Sequence, residues 1–94
     1  MNKDDREELI RSLGKKGALK ILDLLAEKKE MSFNEIARAV GYAVTANRVL
    51  KKFMRLGIVR KRELKDKLKT IKYGLTDKGW KMMEIVTKLT KIER

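Results

Sequence analysis

The sequence predicts a mainly α-helical domain with one small β-hairpin ahead of its last helix. Apolar residues recur at helical spacing through most of the chain. Between positions 58 and 75 the composition turns to β-branched and aromatic residues, and glycines mark the breaks between segments. There is no repeat, low-complexity tract or proline-rich linker in the 94 residues, so a single domain is expected.

Asp4 to Leu13 reads as a short helix. Its acids stand at the start, where they suit the helix dipole, and Leu9, Ile10 and Leu13 share a face. Gly14 and Gly17 mark a break. From Ala18 to Lys28, Ala18, Ile21, Leu22 and Leu25 recur at helical spacing. In "MSFNEIARAVG", Ser32 and Glu35 have the spacing of a capping box, and Met31 and Ile36 that of a hydrophobic staple. That helix should run to Val40, where Gly41 can take the left-handed conformation that ends it. Val44 to Leu56 is the next helix: Ala46, Val49, Leu50, Phe53 and Leu56 face inward, and Asn47, Arg48, Lys51, Lys52 and Arg55 face outward. "IVRKREL" and "TIKYGLT" read as two strands, Ile58 to Leu64 with Thr70 to Leu75, joined by "KDKLK". Thr76 can cap a final helix with Asp77 in its first turn. Along that helix Trp80, Met82, Met83, Ile85, Val86, Leu89 and Ile92 form an apolar stripe too large for so small a domain to cover.

Charge points to the partner. Net charge is +12, and residues 31–80 hold thirteen bases against four acids. The stretch "NRVLKKFMRLGIVRKR" places seven Lys and Arg in residues 47–62 without an acid. Such an excess favours polyanions, nucleic acid first and anionic membrane second. The longest uncharged run, Ala39 to Asn47, is far short of a membrane span. The N-terminus lacks an apolar signal core, so a cytoplasmic protein without membrane association is expected. With no Cys and no His, no phosphate-binding glycine loop and no convergent carboxylate pair, an enzyme is not expected, nor a metal site or cofactor. The lack of Cys, with many Lys, Glu and Ile, fits a heat-adapted host.

A short capped helix, a glycine turn and a second helix with a basic outer face make a helix-turn-helix. The second helix must enter a major groove ~12 Å wide with polar side chains outward and an apolar back on the domain, and residues 44–56 meet that need. Thr45, Asn47, Arg48, Lys51, Lys52 and Arg55 are the expected recognition-helix contacts with double-stranded DNA. Lys61, Arg62, Lys65, Lys67, Lys69 and Lys72 on the hairpin are the expected contacts beside it. An ordinary solvated helix face is the alternative for Arg48, Lys51, Lys52 and Arg55, and the adjoining basic hairpin and missing acids favour DNA. The hairpin lysines serve either phosphate contact or protection of a strand edge. Asn47 is either a neutral helix residue or a reader of adenine. Tyr42 and Tyr73 are expected to pack, and Trp80 and the nearby methionines belong to core or seam.

Three stretches carry a family resemblance. "LKILDLLAEKKEMSFNEIARAVG" looks like the first two core helices of winged helix-turn-helix transcriptional regulators of the MarR/ArsR type. "RVLKKFMRLGIVRKR" is similar to their recognition helix and first wing strand, and "YGLTDKGWKMM" resembles the close of the wing and the start of the last helix. The resemblance covers residues 14–90, and the Leu-Thr-x-x-Gly junction from Leu75 to Gly79 is its most telling piece. The turn "GYAVTAN" departs from the pattern, because it lacks the Ser or Thr that often caps the recognition helix. The resemblance implies a homodimer on pseudo-palindromic DNA, with the terminal helices forming much of the interface. Leu9, Ile10 and Leu13 would join the stripe from Trp80 to Ile92 in that seam. The chain then divides into an N-terminal helix (1–13), a winged-helix core (14–76) and a C-terminal dimerisation helix (77–94). Metal sensing through Cys or His, and a cysteine redox switch, are excluded by composition. A sequence-specific regulator, with repression favoured, is the leading expectation. A chromatin-like architectural protein or a protein-interaction module of the transcription machinery are its rivals.

Overall fold

The computed structural model describes residues 2–90. The order is α1 (Lys3–Leu13), α2 (Ala18–Lys28), β1 (Glu30–Ser32), α3 (Phe33–Val40), α4 (Ala43–Arg55), β2 (Val59–Glu63), β3 (Ile71–Leu75) and α5 (Asp77–Thr90). The helix bounds follow local chemistry. Asn2 caps α1 by accepting the Asp5 N–H at 2.8 Å. The capping box of α3 is complete: the Glu35 N–H donates to Ser32 Oγ at 3.2 Å, and the Ser32 N–H donates to Glu35 Oε1 at 2.9 Å. Met31 and Ile36, the staple pair, are both buried. Gly41 ends α3 at φ +98°, where a side chain would be strained. Tyr42 then leads into α4 in extended conformation, with no side-chain cap.

One expectation needs correcting. The hairpin is not alone: β1 joins it in an antiparallel sheet of order β1-β3-β2. Glu30, Met31 and Ser32 lie opposite Gly74, Tyr73 and Lys72. Three residues are too few to show an alternating period, and these run straight into a helix cap. The hairpin itself is in register from Val59↔Leu75 to Glu63↔Ile71.

The core joins α2, α3, α4 and the base of the sheet. Ile21, Leu22, Leu25, Ile36, Phe53 and Ile58 are its largest wholly buried side chains besides Leu50, which is nearly so. Burying side chains of this size is worth ~1.5–3 kcal/mol each before entropy is counted. Where β3 meets α5, Thr76 binds three partners: its N–H donates to Ile58 O at 3.0 Å, its hydroxyl to Gly57 O at 2.6 Å, and its Oγ1 accepts the Gly79 N–H at 3.0 Å. Lys78 Nζ reaches Leu56 O at 2.9 Å. The Leu-Thr-x-x-Gly junction is therefore a weld between α5 and the start of the wing.

The terminal stripe divides. Met83 is buried in the core and Met82 packs against it, as do Leu9 and Leu13 on α1. Met83, expected in the seam, lies in the core instead, with little surface left to offer a partner. Ile10, Ile85 and Leu89 remain well exposed, Trp80 less so, and Val86 is half-buried. Ile92 lies outside the described residues.

Candidate nucleic-acid interface

α4 presents two chemically distinct halves. Its back, Ala46, Val49, Leu50 and Phe53, is buried and sets the angle of the helix on the domain. On its outer face Val44, Asn47, Arg48 and Lys51 are exposed, with Thr45 half-buried beside them. Among the described residues, Arg48 and Lys51 make no ion pair. Lys52 and Arg55, near the C-terminal end, face the acids of α1 instead. Lys52 Nζ lies 3.5 Å from Glu8 Oε1, Arg55 Nη1 lies 3.7 Å from Asp5 Oδ1, and Arg55 also pairs with Glu8. These contacts hold α1 against α4, so the free positive charge of the helix is confined to Arg48 and Lys51 in its middle.

A cleft of about 480 Å³ opens between α1, the turn before α2, and α4. Arg11, Lys15 and Lys16 line it together with Arg48 and Lys52, over a floor of Val49 and Phe53. Arg11, Lys15 and Lys16 were not singled out by sequence, because residues 1–30 are nearly neutral in sum. In the fold Glu8 lines the cleft with them, and Asp5 and Glu8 are paired with Lys52 and Arg55 of α4. Lys16 Nζ also stands 5.6 Å from the centre of the Tyr42 ring. Tyr42 is 60% exposed, so it does not pack as expected. Tyr73, in the middle of β3, does pack against the core.

The wing is also divided. At its base, Arg62 Nη2 and Nε donate to the two oxygens of Glu30 at 2.6 and 3.1 Å, and Arg60 Nη1 donates to Glu30 Oε2 at 3.1 Å. Gly74 sits between them in the sheet. A Cβ there would lie 3.1 Å from Arg60 Nη2, so the bare glycine lets the arginine cross β3 to reach β1. Lys72 Nζ lies 3.5 Å from Glu35. Arg62 and Lys72 are thus tied to carboxylates. Lys61 stands on the alternate register of β2, and Lys65, Lys67 and Lys69 are exposed at the tip, all without an ion pair among the described residues.

The two arginine hydrogen bonds hold the Glu30 carboxyl at about 2, well below its ordinary 4.5. A depressed folded-state pKa gives stability that is present above the unfolded value and lost as pH falls through the folded one. Glu30→Gln should therefore be less stable than the parent at neutral pH. The difference should close between about pH 5 and pH 2 in urea melts. Glu35 and Asp66 are lowered too, by hydrogen bonds from Ser32 and Thr70, and add the same slope to both proteins.

No helix among the described residues is long and apolar enough to cross a membrane, and no group of three or more of these residues is arranged to hold a metal ion. Residues 18–63 match the family model of the IclR helix-turn-helix domain. No curated protein matches the chain. The fold is similar to that of the reduced transcriptional regulator YodB from B. subtilis, with TM-score 0.80 and 22% identity over 96% of this chain and 89% of that one. It is also similar to the homodimeric winged helix-turn-helix DNA-binding domain of Mb0332 from Mycobacterium bovis, a possible ArsR-family transcriptional regulator. There the TM-score is 0.76 and the identity 25%, over 93% of this chain and 79% of that one. HlyU from Vibrio cholerae N16961 aligns with TM-score 0.71 and 22% identity over 95% and 97%.

Proposed function

Because the chain has the winged helix-turn-helix fold of MarR/ArsR-type transcriptional regulators, we propose that it binds double-stranded DNA sequence-specifically as a homodimeric regulator, acting by occupancy as a repressor. The observation that carries this reading is the acid-free α4, its back buried in the core and Asn47, Arg48 and Lys51 exposed on its outer face. In this reading Asn47 and Arg48 read base edges. Lys15, Lys16 and the wing-tip lysines neutralise phosphates, and Lys52 and Arg55 position α4 through their pairs with α1.

The test begins with selection of duplexes bound from a random pool. Asn47→Ala and Arg48→Ala should each weaken binding to the selected sequence by ~1–3 kcal/mol per half-site and relax the preference at one base pair. If both variants stay folded and keep full discrimination, the reading surface lies elsewhere. An architectural protein would instead show little preference, where a regulator should favour its site by ~10³ or more over unrelated duplex. A protein-interaction module would shift no duplex at low salt.

The dimer rests on the exposed Ile85 and Leu89 of α5, and on the homodimeric state of the Mb0332 domain. Burying such side chains across a two-fold axis gains ~1.5–3 kcal/mol each. Ile85→Asp with Leu89→Asp should sediment as a folded monomer, since neither side chain belongs to the core. A parent protein that is monomeric at micromolar concentration would overturn the assignment.

A further inference from the structure

The tip of the wing carries the most exposed large apolar side chain among the described residues. Leu68 is 87% exposed, and it stands between Lys67 and Lys69. The loop that presents it is built rather than slack. The Thr70 N–H and hydroxyl both donate to the Asp66 carboxylate at 3.0 Å, the Lys69 N–H donates to Asp66 O at 3.1 Å, and the Leu64 N–H closes the loop onto Thr70 O at 2.7 Å. Lys69 takes the left-handed conformation, φ +48°, to complete the turn. The one carboxylate of the loop is thereby engaged by the loop's own N–H and hydroxyl groups, and Leu68 stands exposed among the exposed Lys65, Lys67 and Lys69.

We propose that Leu68 is a minor-groove wedge: the lysines beside it straddle the two phosphate chains while the leucine enters the groove and opens a base step. The proposal rests on the DNA-binding reading above. The reach fits, because a five-residue strand spans ~17 Å, about half the ~34 Å helical repeat that separates one major groove from the next. With α4 in a major groove, the tip arrives over the neighbouring minor groove. Its charge fits, since lysines favour the negative potential of a narrow groove. So does its chemistry: aliphatic side chains part base steps and bend the duplex toward the major groove, most readily at flexible pyrimidine–purine steps.

The experiment uses the full chain and a selected duplex carrying a fluorescent base analogue at each pyrimidine–purine step in turn, with bending read by energy transfer between the duplex ends. The parent protein should bend the duplex by about 20° or more and brighten the analogue at one step under each wing. Leu68→Ala, whose melting should be unchanged, should abolish both signals and weaken binding about tenfold, with the salt slope unaltered. Lys67→Ala should do the reverse, flattening the slope by ~1–2 units and keeping the bend. A parent complex that leaves the duplex straight, or a Leu68→Ala protein that bends it equally, overturns the wedge and leaves DNA binding standing. A Leu68→Lys protein that binds more tightly and still bends would also overturn it. A parent protein that binds no duplex overturns both.

Discussion

Phe53→Ala should destabilise the protein by ~3–5 kcal/mol in urea unfolding followed by circular dichroism. The ring is wholly buried in the core. Deleting it removes transfer energy and leaves a cavity that the surrounding helices can close only in part. Against a total stability of ~5–15 kcal/mol for a domain of this kind, the loss approaches unfolding. Phe53→Leu, which keeps most of the volume, should fall between parent and alanine. Phe53 also forms part of the floor of the cleft beside Arg48, so DNA affinity should drop even under conditions where the variant stays folded. A loss below about 1 kcal/mol would mean that the ring is not filling the core as described.

Gly79→Ala should come close behind, at about 3 kcal/mol, the upper end of over-packing costs. A Cβ built at Gly79 would stand 2.3 Å from Ile58 O, a backbone atom that also accepts from the Thr76 N–H. Neither side can yield without lifting α5 off the base of the wing. Gly14→Ala is the control. That glycine has φ −83° and its added Cβ would meet only Arg11 O at 3.6 Å. The change should be neutral or stabilising by ~0.4–1 kcal/mol through the unfolded chain. Equal effects at the two positions would refute the close-approach account.

The contrast shows what the residues disclosed by themselves. The capping box at Ser32 and Glu35, the stop at Gly41 and the inward set of α4 are local devices, and local spacing announces them. The junction was legible as a motif from Leu75 to Gly79, but its physical reason, the carbonyl of Ile58 just before β2 standing against Gly79, is visible only in three dimensions. The site was legible in sign and less so in detail. Lys52 and Arg55 share a helix face with Arg48, so periodicity groups them. Their partners Asp5 and Glu8 are more than forty positions away, and nothing local signals the contact. Arg62 likewise finds Glu30 across thirty-two positions, through a strand too short to detect. Lys15 and Lys16 were hidden by the opposite effect, a segment whose acids cancel its bases on paper, although Asp5 and Glu8 are engaged by bases of α4 in the fold.

Ser32 ends β1 and also caps α3, so the sheet and the helix-turn-helix share a residue. The hairpin is consequently a cantilever clamped at its root, with β1 along one side and Glu30 gripping both arginines of β2. Amide hydrogens of Arg60 to Arg62 and Lys72 to Gly74 belong to the stiff root, while residues 64–70 form the free end. A flexible arm must surrender ~1–2 kcal/mol of backbone freedom for each residue it orders on a ligand. Here folding has already removed that freedom from the root. Docking on a groove then orders little, and what reaches the groove is an arm whose direction relative to α4 was set before contact.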